Sequence, residues 1–158
     1  MYKRALVALD GSPVAETILP FILEVAGPLD MEVVLLRVVQ PLTPVVIETS
    51  RHVEVEDIEA RRIDAEEYLA LLAVELRAKA VRVTTQVRRG SPVEEIVAAA
   101  RETGADLIAM STHGRGGLGR IIFGSVAQAV LQQADVPVFL LRTTEAEVQK
   151  RAPGAVAR

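Results

Sequence analysis

The sequence predicts a three-layer α/β/α domain built on a five-stranded parallel sheet. Three observations carry that expectation. Short runs rich in Val, Ile and Leu alternate with longer helical stretches, in the order βαβαβαβαβ. Strands alternating with helices call for parallel pairing through right-handed crossovers. The runs are almost continuously apolar, as strands covered on both faces should be. Finally, half of the 158 residues are apolar but only 3% are aromatic, so the core must be aliphatic. A chain of this length suits one domain. It is placed at 1–142, with 143–158 read as a frayed tail because it lacks apolar periodicity and contains Ala152-Pro153-Gly154-Ala155.

Each element has its own signal. Ala5 to Leu9 is a buried strand ending at Asp10-Gly11-Ser12. Ser12 caps the first helix and Pro13 occupies its first position, where a missing N–H costs nothing. That helix is expected to reach about Ala26, kinked or short of one hydrogen bond at Pro20, and to stop at Gly27-Pro28. Met31 to Val39 is a β-branched strand closed by Pro41 and Pro44. After a loop from Gln40 to Arg51, a long helix is expected from about Val53 to Ala80. Its apolar face carries Ala65, Leu69, Leu72, Ala73, Leu76 and Ala80. Val81 to Arg88 alternates as a third strand. Gly90-Ser91-Pro92 then repeats the turn, cap and helix start, and Val93, Ile96, Val97 and Ala100 form the apolar stripe of a helix ended by Gly104. Ala105 to Met110 is the fourth strand. A helix from Ser125 to Ala134 and a strand from Val136 to Arg142 complete the order.

Composition removes several functions. With no Cys there is no disulfide scaffold, thiolate zinc site, iron–sulfur cluster or Cys nucleophile. A net charge of -3 provides no global basic field for nucleic acid. The basic run Arg77, Lys79, Arg82, Arg88 and Arg89 has no stacking aromatics and reads as a solvated face. The acidic stretch Glu54 to Glu67 reads as the exposed side of the long helix; no histidine joins it to suggest a metal. No apolar run approaches the ~20 residues that span a bilayer. The opening apolar stretch turns polar at Asp10, too soon for a secretory leader. A soluble, cytoplasmic domain is the expectation.

Five of the ten glycines (Gly114, Gly116, Gly117, Gly119 and Gly124) fall within eleven residues. In an open α/β sheet, ligands bind outside the carboxyl ends of the strands. Two loops are expected there: Asp10-Gly11-Ser12, and the segment from Ser111 through His113 and Arg115 to Arg120, leading to Gly124-Ser125. Glycines let backbone N–H groups approach an anion, and a helix starting at Gly124-Ser125 would add free N–H groups, a positive dipole end and the Ser125 hydroxyl. This is phosphate-binding equipment without a specific base. Asp10 reads either as a strand-end cap or as a ligand contact, and Arg115 and Arg120 as phosphate partners or as solvated. His113 reads as a hydrogen-bonding turn residue and His52 as surface. Gly114-Arg115-Gly116-Gly117-Leu118-Gly119 matches the dinucleotide fingerprint G-x-G-x-x-G, but it follows the fourth strand instead of the first, and Asp135 precedes a strand instead of ending one.

The segments VALDGS, VVLLRVV and STHGRGGLGRIIFGSVAQAVLQQADVPVFLLR resemble the universal stress proteins, over nearly everything from Tyr2 to Arg142. Gly114, nine residues and Gly124-Ser125 match the last elements of the G-2x-G-9x-G-[ST] pattern of the ATP-binding branch; Ser111 stands where that pattern has its first glycine. The resemblance implies a Rossmann-like sheet of order 3-2-1-4-5, of the adenine nucleotide alpha hydrolase-like type. It implies ATP, AMP or ADP between the ends of strands one and four, with or without a magnesium ion bridging phosphate oxygens. Asp10 would sit by the nucleoside, the Val38 backbone would face adenine, and Gly114, Gly124 and Ser125 would hold phosphates. Ala8, Leu9, Met110, Ser111, His113 and Arg115 would complete the contacts. A homodimer would form through Val136 to Leu141. The function implied is a nucleotide-dependent stress-response regulator or sensor with at most slow hydrolysis. The alternatives are a homodimeric interaction module without nucleotide, and an enzyme whose chemistry the sequence does not reveal.

Overall fold

A computed structural model describes residues 1–41, 51–113 and 124–151, with the backbone alone at 51–56, 113, 145 and 151. Strands β1 (Arg4–Leu9), β2 (Glu32–Val39), β3 (Arg82–Arg89), β4 (Leu107–His113) and β5 (Val138–Thr143) form one sheet. Its order is β3-β2-β1-β4-β5, and every pairing is parallel. Helices α1 (Pro13–Glu16), α2 (Ile18–Ala26), α3 (Arg51–Arg77), α4 (Pro92–Thr103), α5 (Ser125–Gln133) and α6 (Glu145–Arg151) make the connections and the C-terminal extension.

Alternation along the central strands divides the core in two. Val7 and Leu35 face Ile18, Leu19 and Ile22 of α2 and Leu69 and Leu76 of α3. Leu6, Leu36 and Ile108 face Ile96 and Ala99 of α4 and Val130 of α5. Successive strand residues point to opposite faces, so one aliphatic run supplies both layers. The expected parallel α/β/α architecture is therefore present.

Helix ends account for most of the boundary differences. The expected break comes at Thr17, one turn before Pro20. A proline ring collides with the carbonyl four residues earlier, here Glu16, so the chain turns there. α3 ends at Arg77, and Ala80 is exposed at φ 61 instead of belonging to the apolar face. Ser91 precedes α4 but makes no side-chain cap bond, whereas the Ser12 hydroxyl accepts the Ala15 N–H at 3.1 Å. β4 runs on to His113, so Ser111 and Thr112 are strand residues and not loop, paired with Leu141 and Arg142. The segment read as a frayed tail begins with Thr143 in β5 and continues as α6, where Thr144 and Glu147 hydrogen-bond reciprocally.

The basic run is engaged within the fold. Arg77 donates to the Val83 carbonyl, Arg82 to that of Asp30, and Arg88 to Glu95 and Glu102. Along α3, Glu59, Asp64, Glu66 and Glu67 are exposed, as expected of a solvated face, and Arg62 bridges Glu59 and Glu66.

Candidate functional site

A cleft of about 450 Å³ opens at the carboxyl ends of β1, β2 and β4, within the range of small-molecule sites. Its floor is strand: Ala8 and Leu9 from β1, Leu36 and Val38 from β2, and Met110, Ser111 and Thr112 from β4. One wall is the β1–α1 turn with Asp10 and Ser12; Pro92 and Ile96 of α4 and the start of α5 form the other walls. The chain leaves β1 toward β2 on one side, and β4 lies on the other. This is the switch point where such sheets take ligands.

The β1–α1 turn is built by side chains. Asp10 Oδ1 accepts the Ser12 N–H at 2.9 Å, and Ser12 in turn caps α1. One carboxylate oxygen thus shapes the turn, while the exposed Asp10 side chain remains at the cleft mouth. It is the only ionisable side chain among the described lining residues.

The opposite wall offers donors. Gly124 is the N-cap of α5 with φ -54 and ψ 145, and no described side chain caps the helix. The first N–H groups of a helix have no partner within it, and here Ser125, Val126 and Ala127 line the cavity. The Gly124 N–H donates to Thr112 Oγ1 at 3.2 Å, tying the helix start to the sheet. Glycine is not demanded there by its backbone, because φ -54 suits any residue. Nor do its described neighbours demand it, since among the described residues the nearest atom to a Cβ would be Thr112 Oγ1 at 4.0 Å.

The family model for the universal stress proteins matches residues 1–142. The chain belongs to that family. Universal stress protein MJ0531 of Methanocaldococcus jannaschii is 32% identical over 149 residues, covering 93% of this chain and 86% of that protein. The solved structure of MJ0577 from the same organism superposes with a TM-score of 0.77 at 29% identity, covering 92% of this chain and 99% of that one. A universal stress protein from Archaeoglobus fulgidus, solved in complex with dAMP, superposes at 0.63 with 26% identity, covering 88% of this chain and 97% of that one.

In this universal stress protein Ala8, Leu9, Asp10, Val38, Met110, Ser111, Gly124 and Ser125 line one cleft. Gly114 and Arg115 lie outside the described residues, as do Gly116, Gly117, Gly119, Arg120 and the side chains of His113 and His52. Ser111, which departs from the glycine pattern, occupies ordinary strand without positive φ, so its Cβ brings no backbone strain. Sequence reasoning missed the α4 wall, Pro92 and Ile96, although Gly90-Ser91-Pro92 already marks a helix starting at the end of β3. Among the described residues no group of three or more His, Asp or Glu side chains could hold a metal, and no helix is long and apolar enough to cross a membrane.

Proposed function

We propose that this universal stress protein binds an adenine nucleotide, ATP or alternatively AMP or ADP, in the cleft at the ends of β1 and β4. Nucleotide occupancy would serve as its regulatory or sensory signal. The observation that carries the reading is Gly124. A glycine required by neither its dihedrals nor any described neighbour, at a helix start that no described side chain caps, leaves room for a phosphate to reach backbone N–H groups. The dAMP complex of the Archaeoglobus relative supports the choice of ligand. With one carboxylate in the described lining, a magnesium ion would ride on phosphate oxygens instead of in a protein cage. The same scarcity of titratable groups provides no acid–base pair, so hydrolysis would be slow at most. A homodimer through β5 in the cytoplasm completes the proposal.

Native mass spectrometry of freshly purified protein, followed by calorimetry with ATP and magnesium, tests the reading. Bound nucleotide or saturable heat is expected; neither at millimolar ATP would refute it. Gly124→Val should fold normally, because among the described residues its Cβ meets only an ordinary contact, yet lose more than about tenfold in ATP affinity, or ~1.4 kcal/mol. Unchanged affinity would remove the α5 start from the site.

A further inference from the structure

Arg37 stands behind the cleft. Leu36 and Val38 of β2 line the floor, and successive strand residues point to opposite faces, so the side chain between them belongs to the α2–α3 side of the sheet. The register sets Arg37 beside Leu9, the last residue of β1. Beyond Leu9 comes the turn Asp10-Gly11-Ser12, whose outer two residues line the cleft. Arg37 has only to reach past the strand end to meet the glycine between them.

It meets that glycine face on. A Cβ on Gly11 would lie 3.0 Å from Arg37 Nη2, 3.1 Å from Cζ and 3.3 Å from Nη1. An edge-on approach would leave Cζ farther away than both nitrogens, so the guanidinium plane lies against the turn. Gly11 has φ 85, a conformation that favours glycine, and a side chain there would push the guanidinium away. Arg37 Cζ also lies 4.9 Å from the ring centroid of Tyr68 on α3, within cation–π range. Burial, and after it the Glu16 carboxylate of α1, push the Tyr68 phenol up from its ordinary value. One side chain thus ties the turn that faces the ligand to an aromatic ring held among α1 and α3.

We infer that Arg37 is a positioning residue of the site: held on Tyr68, it keeps the Gly11 peptide, and with it Asp10 and Ser12, in the shape that the ligand meets. The inference rests on the nucleotide reading and adds to it a residue outside the cleft. A site whose turn keeps that shape for only a fraction of the time binds with affinity reduced by the same fraction. Losing a contact of cation–π size should cost about two- to fivefold. The loss should be equal for adenosine and ATP, because both meet one turn.

Amide hydrogen exchange of the unliganded protein and calorimetry with adenosine and with ATP test this. In Arg37→Ala the Ser12 N–H, which donates to Asp10, should exchange faster, and both ligands should bind more weakly by one common factor. Arg37→Lys keeps the charge without the planar face and should behave like Arg37→Ala. Tyr68→Phe keeps the ring and should bind as wild type does, whereas Tyr68→Leu should match Arg37→Ala. The two changes Arg37→Ala and Tyr68→Leu together should cost no more than either alone, since each breaks the same contact. A lower Tm with wild-type affinities in Arg37→Ala would make Arg37 a brace of the fold alone and overturn the inference. A loss confined to ATP, or full rescue by Arg37→Lys, would overturn it as well, because charge and not position would then act. Unchanged Ser12 exchange in Arg37→Ala would overturn it whatever the ligands do. A wild-type protein that binds neither probe would overturn the nucleotide reading, and the exchange at Ser12 would still decide whether Arg37 holds the turn.

Discussion

Arg88 shows how one side chain joins two layers and makes their union sensitive to acid. From β3 its Nε reaches Glu95 Oε2 and its Nη1 reaches Glu102 Oε2, both at 2.6 Å, and both carboxylates stand on α4. The hydrogen bond from Arg88 holds the Glu102 carboxyl below its ordinary value, with the guanidinium charge acting in the same direction. A carboxyl depressed in the folded state contributes stability above its unfolded pKa, and loses it as pH falls through the folded one. Arg88→Met should therefore lower Tm at pH 7. The gap from wild type should narrow as pH drops below about 4, where glutamates protonate even when unfolded. Paired thermal scans at pH 7 and pH 3 measure this, and a gap independent of pH would mean that Arg88 acts by packing alone.

Helix termini repeat one device. Before β2, β3 and β4 the chain turns through a single left-handed residue: Asp30, Ala80 and Gly104 respectively. The next N–H returns to a carbonyl five residues back: Met31 to Ala26, Val81 to Leu76, Ala105 to Ala100. This closure favours glycine, because a Cβ in that conformation costs ~1–2 kcal/mol. Only Gly104 follows the preference. Gly104→Ala should then destabilise by about 1 kcal/mol, since its Cβ would meet nothing closer than 3.7 Å and backbone strain acts alone. Ala80→Gly should stabilise by about 0.5 kcal/mol after the flexibility added to the unfolded chain. Urea titration of the pair should give opposite signs.

The same residues show what the sequence could disclose. Gly104 announced its helix end because its chemistry matches its conformation, whereas Ala80 reads as one more apolar helical position. Ser111 and Thr112 read as loop by polarity, yet pairing with β5 and the hydroxyl of Thr17, 94 residues away, make them strand. The ends of β1 and β2 and the helix start at Gly124 are legible because turn chemistry is local. The α4 wall and the meeting of the Thr17 and Ser111 hydroxyls depend on contacts between distant segments.

At the scale of the molecule the two sheet edges differ, and the difference bears on assembly. An exposed edge invites pairing unless charge blunts it. β3 is blunted: Arg82, Thr84, Thr85, Gln86, Arg88 and Arg89 leave little apolar surface along it. β5 is not, because Val138, Phe139, Leu140 and Leu141 are all only half-buried. Phe139 stacks on Phe21 at 4.4 Å between ring centroids, and Phe21 itself is 36% exposed, so the apolar surface continues from the edge onto α2. Pairing β5 with its copy would cover the one apolar edge and leave the charged one in water, closing the assembly at two chains. Sedimentation velocity over a wide concentration range should give a dimer whose Tm rises with protein concentration, as coupled association requires. Leu140→Lys should shift the species to a folded monomer, with circular dichroism confirming the fold. A wild-type chain that sediments as a monomer at every concentration would rule this interface out.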